Sequence, residues 1–211
     1  MQQPVKTIQS RYNYEEVWQW LQQKGIDVYG KKFRLYEEDK STIYLLLCWF
    51  LQDEIAAPEL NLDLQKGILL TGPIGCGKTA LMNLMRYATT EQNKFIIKSC
   101  RDISFEFIED GFSVIHKYSK GALYQYEPKV FCFDDLGTES SLKYYGNECN
   151  VMAEVLLTRY DLFVSNNLIT HVTTNLSASE IEQYYGNRLR SRMREMFNLI
   201  AFDKESIDKR T

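Results

Sequence analysis

The stretch GILLTGPIGCGKTALMNLM, Gly67 to Met85, restricts the possible folds of this 211-residue chain more than any other. An apolar run enters a loop with three glycines and one proline. Lys78-Thr79 follow, and an apolar-rich stretch with helical spacing begins at once. Gly72 to Thr79 fit the spacing G-x-x-x-x-G-K-[ST]. Glycines let successive backbone N–H groups turn inward into an anion-holding hollow, and the helix that follows points its positive end at the same place. The expectation is a nucleotide-phosphate site made by Gly72, Pro73, Ile74, Gly75, Cys76, Gly77, Lys78, Thr79 and Ala80. Lys78 would reach the terminal phosphates and the Thr79 hydroxyl would ligate Mg²⁺. The competing reading is a glycine-rich turn with a surface lysine.

Hydrophobic periodicity organises the remainder. Helices are predicted over 13–24, 42–55, 78–90, 103–118, 149–164 and within 178–196, with Asn13 capping the first and Gly25 closing it. Strands are predicted over 67–71, 95–99, 130–133, 168–174 and 198–202, and 26–40 reads as loop with short extended pieces. Short, almost wholly apolar strands alternating with helices mean a mainly parallel five-stranded sheet covered on both faces, an α/β three-layer sandwich. A soft boundary near residue 60 separates a helical N-terminal extension (1–60) from the nucleotide-binding unit (61–211).

A hydrophobic content of 45% supports one full core, and a net charge of −3 with a pI near 5.6 argues against a surface-wide nucleic-acid footprint. The longest apolar run, 42–52, is too short for a membrane span, and 1–16 lacks the apolar centre of a signal peptide. Five widely spaced cysteines form neither a metal-ligand pair nor a disulfide framework, which favours a reducing, cytoplasmic setting.

A second site follows from VFCFDDLGTE, 130–139. Carboxylates at the carboxyl end of a parallel strand lie where ligands gather in open α/β sheets. Asp134 suits the Mg²⁺ shell, and Asp135 can polarise a water for attack on a γ-phosphate. An acidic strand-end turn is the plainer alternative.

These motifs, with THVTTNLSASEI (170–181) and YYGNRLRSRMREMFNLIAF (184–202), resemble the AAA+ ATPases, closest to helicase loaders of the DnaC type and IstB-type transposition helpers. The resemblance implies a P-loop NTPase of AAA+ type binding ATP and Mg²⁺, an oligomer, and a helicase or transposase as partner, with single-stranded DNA nearby. Asn175 occupies the γ-phosphate sensor position, or belongs to a helix-cap cluster with Ser177 or Ser179. Arg188 and Arg192 carry the arginine pattern, with Arg192 as the finger that reaches a neighbouring subunit's phosphate; a solvated basic face is the alternative. Arg159 reads as a solvated helix residue, with a further contact across the interface as the alternative, and Arg210 as a remnant of a C-terminal arginine signature. The short stretch after 198–202 implies no helical lid, and the N-terminal extension is the expected partner-docking unit.

Other features read plainly. Cys76 is a tolerated small residue, His171 a core residue and His116 a surface one. Trp18, Trp20 and Trp49 read as core, or as partner packing in the N-terminal helices. Lys143, Tyr144 and Tyr145 combine basic and aromatic groups that can touch a single strand. Two competing functions stay open: a small-molecule P-loop kinase, and a nucleotide-dependent scaffold with little turnover, since the resemblance places glutamate where Asp135 stands.

Overall fold

The computed structural model describes residues 9–123, 129–139, 142–144 and 147–210. Helix α1 (Tyr14–Tyr29) is capped by Asn13, whose side chain accepts the N–H of Glu15. It runs through Gly25 and ends at Gly30, where φ is 91°. Gly25 therefore does not close the helix. A Cβ there would meet the ring of Phe33 at 2.0 Å, so the glycine makes room for an aromatic that folds back onto the helix. Helix α2 (Lys40–Phe50) stops short of residue 55. Gln52 turns left-handed, and the buried Asp53 carboxylate gathers Ser10 Oγ at 2.5 Å, Tyr14 Oη at 2.9 Å and the Ala56 N–H at 3.1 Å. That acid, with the Tyr12 hydroxyl donating to the Leu51 carbonyl at 3.2 Å, pins the N-terminal segment to the turn.

Strands β1 (Gly67–Thr71), β2 (Phe95–Ser99), β3 (Val130–Leu136), β6 (Thr170–Thr174) and β7 (Phe197–Ala201) form one sheet in the order β2-β3-β6-β1-β7, every pairing parallel. A short antiparallel hairpin, β4 (Leu142–Tyr144) with β5 (Asn147–Cys149), was not predicted. The side chains of Lys143 and Tyr144, and all of Tyr145, lie outside the described residues. Helices α3 (Lys78–Ala88) and α6 (Val151–Asn166) follow the expectation. The helix expected over 103–118 is two, α4 (Cys100–Asp110) and α5 (Phe112–Tyr118), broken at Gly111 with φ 62°. Helix α7 (Ala178–Met196) bends at Gly186, which is non-helical with φ 82° and ψ 158°.

Alternate strand residues serve two cores. Leu69, Phe131, Phe133, Val172 and Phe197 face α4 to α7, whereas Ile68, Leu70, Phe95, Cys132 and Ile200 face α1 to α3. Each such large side chain contributes about 2 kcal/mol by leaving water. Helices α1 and α2 share this second core through Trp18, Leu21, Leu46 and Trp49. Trp20 is 43% exposed, so of the three tryptophans only Trp18 and Trp49 are core residues. His116 is exposed on α5, as expected.

Arg159 is fully buried, against the expectation of a solvated residue. Nε donates to Thr170 Oγ1 (2.7 Å), and the terminal nitrogens donate to the carbonyls of Tyr118 (3.1 Å), Lys129 (3.3 Å) and Ile169 (3.0 Å). The guanidinium lies over the rings of Phe131 and Phe133. Burial lowers its pKa to about 9, which still leaves it charged at neutral pH. Its planar fork collects the chain ends that lead into β3 and β6, at the opposite end of those strands from the acidic pair.

His171 is buried among Trp49, Phe50 and Phe95, and its Nδ1 accepts the Ile68 N–H at 3.1 Å. Accepting at Nδ1 puts the proton of the neutral ring on Nε2, and burial lowers the ring pKa to about 3. The unfolded chain takes that proton near the ordinary 6.5, so stability present above pH 6.5 is lost as pH falls toward 3. Between those values the unfolding free energy should fall by about 1.4 kcal/mol per pH unit from this residue alone. Denaturant unfolding of wild type and His171→Phe from pH 7 to pH 4 checks this: the variant should show the shallower slope, whatever its starting stability.

Candidate functional site

The turn from β1 into α3 brings the glycine-rich loop to the carboxyl end of the sheet. Gly75 and Gly77 hold φ of 84° and 98°, a region in which side chains are strained. Lys78 opens α3 and is nearly buried, its Nζ donating to the carbonyls of Gly72 and Pro73 at 2.8 Å each. Its ammonium thus lies under the loop's own curve. Cys76 is 1% exposed and packs toward Gly72, and burial raises its thiol pKa. That environment suits an inert small residue.

One residue further on, Thr79 Oγ1 lies 2.9 Å from Asp134 Oδ2. Thr173 Oγ1, from β6, donates to Asp134 Oδ1 at 2.6 Å and accepts the Asp135 N–H at 2.9 Å. Asp134 is accordingly held by hydroxyls from two other elements. The β3–β6 register shifts between Phe133 and Leu136, and Asp135 adopts φ 56°. The bulge lets both carboxylates reach the site from neighbouring positions on one strand, where regular pleating would send them to opposite faces. Burial first, and then the charge of Asp134, raise the Asp135 pKa above the ordinary carboxylate value, with Lys78 and Arg210 opposing.

A cavity of about 340 Å³ opens over the loop, lined by Gly77, Lys78, Thr79, Asp135, Asn175 and Arg210, among others. Asn175 is exposed at the end of β6. The helix cap falls to Ser177, which forms a reciprocal box with Glu180, so the cap does not occupy Asn175. Arg210 lines this cavity while its guanidinium pairs with Asp208 at 3.0 Å. Arg188 is exposed on α7, and Arg192 lies against Asp161 (3.8 Å) and over the Tyr160 ring (4.7 Å). Neither of these two lines the cavity of its own chain.

A second cavity of about 360 Å³ shares the Gly75–Ala80 wall, with Tyr29, Phe33, Tyr36, Asp39 and Lys209 on its far side. The Tyr29 and Phe33 rings stack there at 5.5 Å. Sequence reasoning missed these residues, although the aromatic and basic run YGKKFRLY was a signal. It also gave no role to Thr173.

Positive-φ glycines, a lysine beneath the loop and a paired hydroxyl and carboxylate fit a nucleotide phosphate with Mg²⁺. Among the described residues no cluster of three or more His, Cys, Asp or Glu forms a cation site by itself. Thr79 and Asp134 offer two oxygens, which suits an ion that keeps waters and takes its other ligands from phosphates.

Comparison with known proteins gives the fold and the family. No curated protein matches the chain. Among solved structures, the DnaC helicase loader superposes with a TM-score of 0.55 at 19% identity, covering 81% of this chain and 94% of that one. DnaI gives 0.52 at 18% identity, covering 80% and 87%. AMPPCP-bound DnaA from Aquifex aeolicus gives 0.50 at 18%, covering 81% and 48%. At those identities the likeness is one of fold. The family model for ATPases associated with various cellular activities (AAA) matches residues 68–200, from the first residues of β1 nearly to the end of β7. The chain belongs to the AAA family of ATPases.

Proposed function

We propose that the chain binds and hydrolyses ATP, that a neighbouring subunit completes the site with an arginine, and that the assembly serves as a helicase loader or a related replication or transposition accessory factor. The observation that carries the chemistry is the linked set Thr79–Asp134–Thr173–Asp135 beside Lys78. Loop amides and Lys78 hold the phosphates. Thr79 and Asp134 would hold Mg²⁺, which would neutralise charge on the phosphate oxygens. Asp135 accepts a proton from the attacking water and Asn175 orients that water. The water oxygen bonds the γ-phosphorus as the bond to the bridging oxygen breaks, giving ADP and phosphate. Base and ribose lie in the aromatic cavity beyond Gly75. Arg192, which does not line the cavity of its own chain, is the candidate finger, with Arg188 as the second arginine of the pattern. The replication role takes support from the helicase loader among the similar folds. Within it, residues 1–60 would dock the partner protein, and single-stranded DNA would lie close by.

Lys78→Ala should weaken ATP binding by about a hundredfold or more, read by titration of a fluorescent ATP analogue. Unchanged affinity would reject the site.

Asp135→Asn should leave binding within a few-fold and lower turnover by about 10²–10⁴. Because the carboxylate must be unprotonated to act and its pKa is raised, the wild-type rate should decline on acidification at a pH above the ordinary aspartate range. Phosphate-release rates from pH 8 to pH 4 measure this, and a decline only in the ordinary range would contradict it.

Arg192→Ala should retain binding and lose turnover by about 10³ or more. Mixing it with Lys78→Ala should restore part of the rate, since one variant keeps the site and the other the arginine. An inactive mixture, or an Arg192→Ala protein with full activity, argues against a finger in trans.

A further inference from the structure

The phosphate loop is gripped from outside by two residues that lie beyond the matched family region, Asp39 and Lys209. The Lys209 N–H donates to the Gly75 carbonyl at 3.0 Å, and its Nζ donates to the Cys76 carbonyl, also at 3.0 Å. The same ammonium is paired with Asp39, which is 4% exposed at the start of α2, and sits over the rings of Tyr36 and Phe202 at about 5 Å. One side chain therefore joins the C-terminal segment, the N-terminal segment and the loop. Its surroundings exclude most water, since the Lys209 side chain is only 12% exposed. A charge-assisted bond in such a place is stronger than its surface counterpart.

The grip has a direction. The described peptides are all trans, and a trans peptide sets its C=O and N–H antiparallel. Fixing the carbonyls of Gly75 and Cys76 on the Lys209 side turns the N–H groups of Cys76 and Gly77 to the opposite side, into the curve of the loop. The Cys76 N–H does point across that curve, toward the Pro73 carbonyl at 3.5 Å. Asp208 closes in on the same wall, its carboxyl atoms 2.2 Å from where a Cβ on Gly75 would stand.

We propose that Lys209, neutralised by Asp39, is a positioning residue for nucleotide binding: by holding two successive loop carbonyls it pre-aligns the amides that receive the phosphates. This inference rests on the nucleotide-site reading above and adds to it a dependence on a contact made by neither the nucleotide nor the loop alone.

The test uses the full chain and titrates fluorescent analogues of ATP and adenosine against wild type, Lys209→Met, Lys209→Arg and Asp39→Asn, with thermal unfolding measured in the absence of nucleotide. Lys209→Met leaves the buried Asp39 carboxylate without its partner and should lower the unfolding midpoint, so the double variant with Asp39→Asn, which removes both charges, serves as the stability control and should move the midpoint less. ATP affinity should drop about tenfold or more, adenosine affinity should change much less, and Lys209→Arg should recover most of the loss. The double variant should bind no worse than Lys209→Met alone, because the two act as one contact. Lys209→Met binding ATP like wild type, or losing ATP and adenosine equally, would overturn the proposal. Should Lys209→Met fail to fold, the isosteric Asp39→Asn decides: it should weaken ATP selectively by about threefold or more, and wild-type affinity rejects the clasp. Wild type that binds no ATP would overturn the site reading as well, which separates the two failures.

Discussion

One buried carboxylate holds the working end of this sheet together. Asp134 is 7% exposed, and removing such a charge from water is costly unless its oxygens find donors. It finds them on Thr79 at the start of α3 and on Thr173 in β6. Three elements that are distant in sequence must therefore meet at one point, and the phosphate loop takes its place from that meeting. The parallel strand order makes it possible, because it delivers the carboxyl ends of β1, β3 and β6 to the same side.

The adjacent acid is treated differently. Asp134 is satisfied by hydroxyls, whereas Asp135 is turned out by the bulge and is left with burial and a like charge, which push its protonation upward. Two neighbouring aspartates in such unlike surroundings fit the separate roles proposed for them above. Thr173 connects them, donating to one carboxylate and accepting the backbone N–H of the other. A shift of one aspartate therefore has a direct route to the other through a single hydroxyl.

Much of this could be read from the chain, because the informative residues are close together in sequence. Gly72 to Thr79 form a local motif, and strands buried on both faces are apolar throughout, so the loop, the five strands and the acidic pair follow from neighbouring letters. What escaped depends on residues far apart. Gly25 reads as a helix end until the Phe33 ring is seen against it. Arg159 carries a charge in an ordinary helical pattern, and only the folded chain supplies the carbonyls of Tyr118, Lys129 and Ile169 that permit its burial. Gly111 divides a segment whose apolar spacing continues across the break. The aromatic cavity draws on residues near 30 and near 209, and no local pattern joins them.

The C-terminal segment passes over the phosphate loop, with Lys209 seated between rings and Arg210 at the cavity edge. Any polypeptide joined after Arg210, whether a purification tag, a fluorescent fusion or a natural continuation, must leave from the rim of that cavity. Material attached there is in effect a substituent on that cavity, and its bulk and charge bear on what can enter it.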